Sequence, residues 1–206
     1  MKSADAQRAS EGTRAMVDAA NIAVILLAAG TSRRFGADDK LLAPLAGEPL
    51  ALHAARHIVE LAPRRRIAVC RDDDGALARL LVAQGFEIVV NPHPEHGLSR
   101  SLSCGIAEAA RGPDVAAMVC LADMPFIGAR HLRKLIARFD PVAAPVVAST
   151  NGDAAMPPAL FARALFDTLR RGEGDRGGKA LLADAALVPA RADELVDIDR
   201  PDDLPN

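Results

Sequence analysis

The 206-residue chain is half hydrophobic, with 25 basic against 27 acidic side chains and a formal net charge of −2. That balance supports a folded core and excludes a disordered chain. It also excludes the positive footprint of a general DNA or RNA binder, and without Trp or Tyr there is little aromatic surface for stacking single strands.

Residues 1–20 are polar and Ala-rich and carry Asp5, Glu11 and Asp18, unlike an acid-poor transit peptide. They read as a loose extension ahead of a single domain spanning 21–206, with Met16 as an alternative start. Residues 22–28 are almost wholly apolar and predict a strand covered on both faces. A helix is expected over 49–61, ended by Pro63, then a strand over 66–70 and a helix over 74–84 closed by Gly85. A short strand at 87–90 leads into a loop at 91–97, and a helix at 98–110 precedes a second apolar strand at 115–121. Helix 129–139 and strand 145–149 follow. Residues 158–170 and 178–186 are expected to be helical, separated by GEGDRGG, and the tail ELVDIDRPDDL to give a strand and a terminal turn.

Strands alternating with helices predict βαβ units around a mainly parallel sheet, an α/β fold whose ligands sit beyond the carboxyl ends of the strands. Gly30, Asn91 and Asp123 all fall at such ends. No apolar run has the length of a membrane span, so no membrane partner is expected. Cys70, Cys104 and Cys120 lack CxxC spacing and read as reduced core residues, implying a reducing, cytoplasmic setting.

The first strand empties into LAAGTSRRFG, with Lys40 just beyond. A P-loop needs GxxxxGK[ST], but five residues separate Gly30 from Gly36, and Ala37 follows. The dinucleotide pattern GxGxxG is absent as well, because Gly30 stands alone. What remains suits a triphosphate. Small Ala28 and Ala29 permit close approach of backbone, Ser32 offers a hydroxyl, Arg34 a guanidinium fork, and Lys40 a mobile point charge. Asp123 ends an apolar strand, where a carboxylate is costly unless it faces a cleft or a cation.

These residues resemble the signature of the nucleotidyltransferases that attach a nucleotide to molybdopterin. Asn91, Gly97, Ser101, Leu102 and Gly105 resemble that family's second loop, and LADMP at 121–125 its metal-binding strand end. Gly174, Asp175 and Gly177 are similar to its GD-x-G turn, and DIDRP at 197–201 to its C-terminal DxDTP element. The resemblance implies a Rossmann-like three-layer nucleotidyltransferase fold, of the type that builds nucleotide-diphospho-sugars. It implies transfer of CMP from CTP to a phosphate of molybdopterin cofactor, with release of pyrophosphate and dependence on Mg²⁺. Ala29 makes the loop LAAG, which in the family accompanies CTP, whereas LAGG accompanies GTP.

By this resemblance Arg34, Lys40 and Asp123 are catalytic, and Leu27, Ala28, Ala29, Gly30 and Ser32 join Arg34 and Lys40 in binding the nucleotide. Asn91, Gly97, Ser101 and Asp175 would face the acceptor, and Asp123 with Asp199 would hold the metal, Asp197 being the fallback. One departure is Ala155-Met156-Pro157-Pro158, where many relatives carry Gly-His-Pro, which leaves the acceptor open. GTP use, a sugar-phosphate acceptor, or a non-catalytic cofactor carrier or insertion chaperone for a molybdenum hydroxylase are the alternatives. His53 and His57 read as boundary histidines, His93 and His96 as residues of a loop beside the acceptor, and Arg64-Arg65-Arg66 as a solvated turn.

Overall fold

The computed structural model describes residues 17–30, 39–171, 177–200 and 203. Ser32, Arg34 and Asp175 therefore lie outside the described residues. Strand β1 (Ile22–Leu27) is buried along its whole length, as its unbroken apolar run requires. It pairs in parallel with β4 (Arg65–Cys70) on one side and β6 (Ala116–Leu121) on the other. A two-stranded ribbon, β2 (Pro44–Leu45) and β3 (Glu48–Pro49), precedes β4 in the chain.

The main sheet has seven strands in the order β5-β4-β1-β6-β8-β7-β9, where β5 is Glu87–Val90, β7 Val146–Thr150, β8 Ala155–Ala162 and β9 Ala186–Pro189. Only β8 runs antiparallel to its neighbours.

The two-residue period of the strands divides the core. Ile22, Val24 and Leu26 pack with α1 (Leu50–Leu61), α2 (Ala76–Ala83) and α4 (Ala129–Arg138). Ala23, Ile25 and Leu27 face α3 (Leu98–Ala109), α5 (Phe166–Arg171) and α6 (Gly177–Leu182). The result is the expected three-layer α/β arrangement.

Helix α3 lies close against the sheet because position 105 is glycine. A Cβ there would stand 2.5 Å from Ile25 Cγ2 and 3.0 Å from Val69 Cγ2. Gly105→Ala should therefore cost about 1–3 kcal/mol by overpacking. Urea unfolding is the check, with the midpoint lowered and the slope unchanged.

Four expectations need correction. The helix expected over 158–170 is a strand to Ala162 and a helix only from Phe166. Ala159–Ala162 is a short apolar run whose periodicity does not separate helix from strand, and pairing with both β6 and β7 decides it. Pro157 and Pro158 are tolerated because they occupy a bulge: Ala148 pairs with Ala159, whereas Ser149 pairs with Met156.

The last strand is β9, which begins at Ala186 where the expected helix 178–186 ends, and the strand expected in the tail does not form over 194–200. Residues 17–20, expected in the extension, pack on the domain. Asp18 caps a single turn at Ala19–Asn21, and Arg64 N–H donates to Ala19 O at 3.0 Å. Arg65, expected in a solvated turn, is largely covered and donates to Glu87 and Glu108.

The bulge in β8 is held from beneath by a buried hydrogen-bond chain. Ser149 Oγ donates to Pro158 O at 2.8 Å, so the 2.8 Å contact with His131 requires His131 Nε2–H to donate to Ser149. Nδ1 is then a buried acceptor without a partner. Burial lowers the His131 pKa against the opposing pull of Glu194. The unfolded chain takes up a proton near pH 6.5 while the folded chain does not, so stability is lost as the pH falls below that value. His57, also lowered by burial, acts in the same direction. The fall in Tm between pH 7.5 and 5.5 should thus shrink, without vanishing, in His131→Gln when both proteins are followed by circular dichroism.

Candidate active site

The sheet order places the site. From β1 the chain moves outward through β4 to β5, then returns to the other side of β1 as β6. The crevice between the carboxyl ends of β1 and β6 is thus the topological switch point. Leu27 and Leu121 are paired at those ends, and Ala122 N–H still donates to Leu27 O at 3.1 Å before the two chains part.

Beyond this point opens a cleft of about 280 Å³, lined by Leu27, Ala29, Gly30, Lys40, Gly97, Ser101 and Asp123 among others. Seven residues singled out from four separate sequence segments therefore share one wall. Ala28 is buried beneath it, its N–H bonded to Val69 O at 2.8 Å. A Cβ at Gly30 would meet no atom of the described residues within 4 Å.

Lys40 is presented by a local device. Asp39 caps the single turn Lys40–Leu42, accepting from Leu41 N–H at 3.0 Å, and its other oxygen binds Arg71. The turn directs Lys40 inward, where the residue is only 8% exposed. Its Nζ donates to Asp123 Oδ2 at 2.8 Å and to Asp199 Oδ1 at 3.1 Å. Burial alone would lower the lysine pKa, but the hydrogen bonds and charges of Asp123 and Asp199 outweigh it and raise the value above the ordinary lysine range. The ammonium stays charged throughout the neutral and mildly alkaline range.

Two carboxylates thus converge on one cation. Asp123 is fixed by β6, and Asp199 is brought to it by the tail: Ile198 N–H donates to Asp123 O at 2.9 Å. Asp203 then accepts from the N–H groups of Asp199 and Arg200, at 2.9 and 2.7 Å, and closes the turn that carries Asp199.

Asn91 and Ser101 hold the acceptor-side loop together. Asn91 is fully buried, its side-chain amide donates to Ser101 Oγ at 2.9 Å, and its carbonyl accepts from His93 N–H at 3.0 Å. Gly97 starts α3 at φ +82°, a conformation that disfavours other residues. Ser101 and Gly97 reach the cleft, whereas the Asn91 side chain is engaged behind it.

A second cavity of about 360 Å³ adjoins the cleft across Leu27, Leu98 and Leu121. Its remaining wall comes from Leu102, Val119, Met156, Phe161, Lys179 and Leu182, among others. Sequence reasoning missed this chamber, since each apolar residue reads as ordinary core. The departure at Met156, singled out in the sequence, falls on its wall. The other discounted signals are structural: His53 Nε2 contacts Leu45 O at 2.8 Å. Burial pushes the Cys70 and Cys120 thiols up to about 12, so both stay protonated and unreactive. No helix among the described residues is long and apolar enough to cross a membrane.

Comparison with known proteins agrees with this fold. The chain is 30% identical over 183 residues to the bifunctional protein GlmU of Sphingopyxis alaskensis, covering 84% of this chain and 40% of that one. It therefore spans under half the length of the curated relatives it matches. Among solved structures, Rv0371c of Mycobacterium tuberculosis superposes with a TM-score of 0.74 at 22% identity, over 89% of this chain and 95% of that one. Molybdopterin-guanine dinucleotide biosynthesis protein A of Archaeoglobus fulgidus gives 0.64 at 21% identity, over 88% and 94%. At such identities the likeness is one of fold. The model of the MobA-like NTP transferase domain, however, matches residues 24–192, most of the chain. The chain belongs to the MobA-like NTP transferase family and is a nucleotidyltransferase.

Proposed function

We propose that this enzyme transfers CMP from CTP to a phosphate of molybdopterin cofactor. The observation that carries the reading is the Lys40 ammonium held between Asp123 and Asp199 at the switch-point cleft. A phosphate oxygen of the acceptor attacks the α-phosphorus, the bond to the β-phosphate oxygen breaks, and pyrophosphate leaves with that electron pair. Such a displacement needs alignment and charge neutralisation more than a proton shuttle. Lys40 supplies a fixed positive charge that stabilises the departing pyrophosphate. The backbone at Leu27, Ala28, Ala29 and Gly30 borders the nucleotide, and Ala29 favours cytosine by its family pattern. The proposal also gives phosphate contacts to Ser32 and Arg34 and an acceptor contact to Asp175, all outside the described residues.

The donor set fits a hard divalent cation. Two carboxylates already converge on one positive group, and all-oxygen ligation is what Mg²⁺ prefers. Asp123 and Asp199 would hold the ion, which supplies further charge neutralisation on the phosphate oxygens. A manganese complex of the Rv0371c protein is known, which supports a divalent ion in the fold.

For the acceptor, the chamber of about 360 Å³ walled by Leu102, Val119, Met156 and Phe161 favours the flat face of a fused ring over a polyhydroxylated sugar. Gly97 and Ser101 stand where the two cavities approach each other, with Asn91 bracing Ser101 from behind. The Archaeoglobus relative's name supports the same acceptor class. A molybdenum hydroxylase is the partner that would receive the product.

The test measures pyrophosphate release with Mg²⁺, each nucleoside triphosphate and either molybdopterin cofactor or a panel of sugar 1-phosphates. Release is expected with CTP and molybdopterin cofactor. A strict preference for GTP would correct the base, and release with a sugar phosphate alone would overturn the acceptor. Tight cofactor binding without release under any combination would make the chain a carrier.

A further inference from the structure

The segment between β5 and α3 gathers three side chains that the nucleotidyl-transfer chemistry does not use. We propose that His93, Glu95 and His96 form a binding site for a divalent transition ion of the Zn²⁺ class, separate from the Asp123–Asp199 pair. One ligand atom from each residue lies within 4.8 Å of the other two. His93 Nδ1 stands 3.2 Å from Glu95 Oε1, and His96 Nε2 stands 3.7 Å from the same oxygen. The two imidazoles stack, with centroids 5.2 Å apart and planes 16° from parallel.

The convergence has a backbone cause. Pro94–His96 is one 3₁₀ turn with Pro at its start, and His96 N–H donates to His93 O at 3.1 Å. The turn reverses the chain within four residues, so that His93, which caps it, and His96, which ends it, lie close together. The turn is tethered from below, because His93 N–H donates to the buried Asn91 side chain at 3.0 Å. An ion therefore finds its ligands close together on a turn whose backbone is already fixed, and binding orders little more than three side chains.

The donor set decides which ion. Two imidazoles and one carboxylate suit Zn²⁺, Ni²⁺ or Cu²⁺, whereas the Asp123–Asp199 pair offers oxygen alone and suits Mg²⁺. All three residues are exposed, so the ion has open access, and three protein ligands leave at least one position for water or an anionic ligand. Pro94 and Gly97 of the same segment line the nucleotide cleft, so the ion would sit on its rim.

The experiment titrates Zn²⁺ into the full chain by calorimetry with Mg²⁺ in excess, which keeps the oxygen site occupied. One Zn²⁺ per chain is expected, with affinity falling about ten-fold or more in His93→Ala and again in His96→Ala. Asp123→Ala and His53→Ala should leave the titration unchanged. Because the three side chains are exposed, the variants should keep their Tm in EDTA, and only the wild type should gain Tm on adding Zn²⁺. Absence of binding at millimolar Zn²⁺ would overturn the proposal. So would a stoichiometry that survives the His93→Ala/His96→Ala double variant.

Discussion

Asp123→Ala should lower turnover by about 10³-fold or more while the protein still folds, because it removes both a proposed metal ligand and the closer partner of Lys40. The argument for a chemical rather than structural loss rests on what remains. Asp123 lies at the end of β6, outside the paired register, and its side chain is about a quarter exposed. Its backbone carbonyl, which accepts from Ile198, is retained in the variant. Lys40 keeps Asp199 at 3.1 Å, so the buried ammonium is not stranded. The stability cost should be about 1–2 kcal/mol, a shift of a few degrees in Tm. Pyrophosphate release and a thermal melt on the same sample separate the two effects. A rate within ten-fold of wild type would remove Asp123 from the reaction.

Lys40→Met should slow turnover by about 10²–10³-fold and have the opposite effect on metal binding. Met fills similar volume without charge, so Asp123 and Asp199 would lose the ammonium that both contact. The same pair should then bind Mn²⁺ about ten-fold more tightly, because no ammonium competes for its oxygens. Slower turnover together with tighter Mn²⁺ binding is the result that a merely structural lysine would not give. Lys40→Arg should not restore the rate, since a planar guanidinium fork does not fit the place of a compact ammonium. The wild type should show no limb from Lys40 between pH 6 and 9, because its neighbours hold the pKa above the ordinary range.

Much of this site was legible before any coordinates. The strand leading to Asp123 is apolar up to a single carboxylate, and burial on both faces of β6 leaves that residue only the strand end to occupy. Lys40 was legible as a cation close after the first strand, but its contact with Asp199 was not, since the family resemblance offered Asp199 only as a metal ligand. Nothing in local periodicity links positions 159 apart.

The far side of the sheet was less readable. Ala159–Ala162 can satisfy either a helix or a strand, and only the gap between β6 and β7 chooses. Strand β9 is short and begins where the expected helix ended, so its four residues were not singled out. The apolar chamber stayed hidden for a related reason. Leu27, Leu102, Met156 and Leu182 come from separate elements, and each looks like core until their spacing leaves a cavity.

The hydrogen bond from Ile198 to Asp123 has a bearing on timing. Strands β1, β4, β5 and β6, with the first cleft wall, lie wholly ahead of residue 122 and can assemble as soon as that stretch leaves the ribosome. Asp199 arrives only after β7, β8 and β9 have been synthesised. A nascent chain would thus possess the crevice well before it possesses both carboxylates that meet at Lys40. Under the proposed mechanism, premature termination between β9 and Ile198 would yield a protein able to occupy nucleotide without spending it.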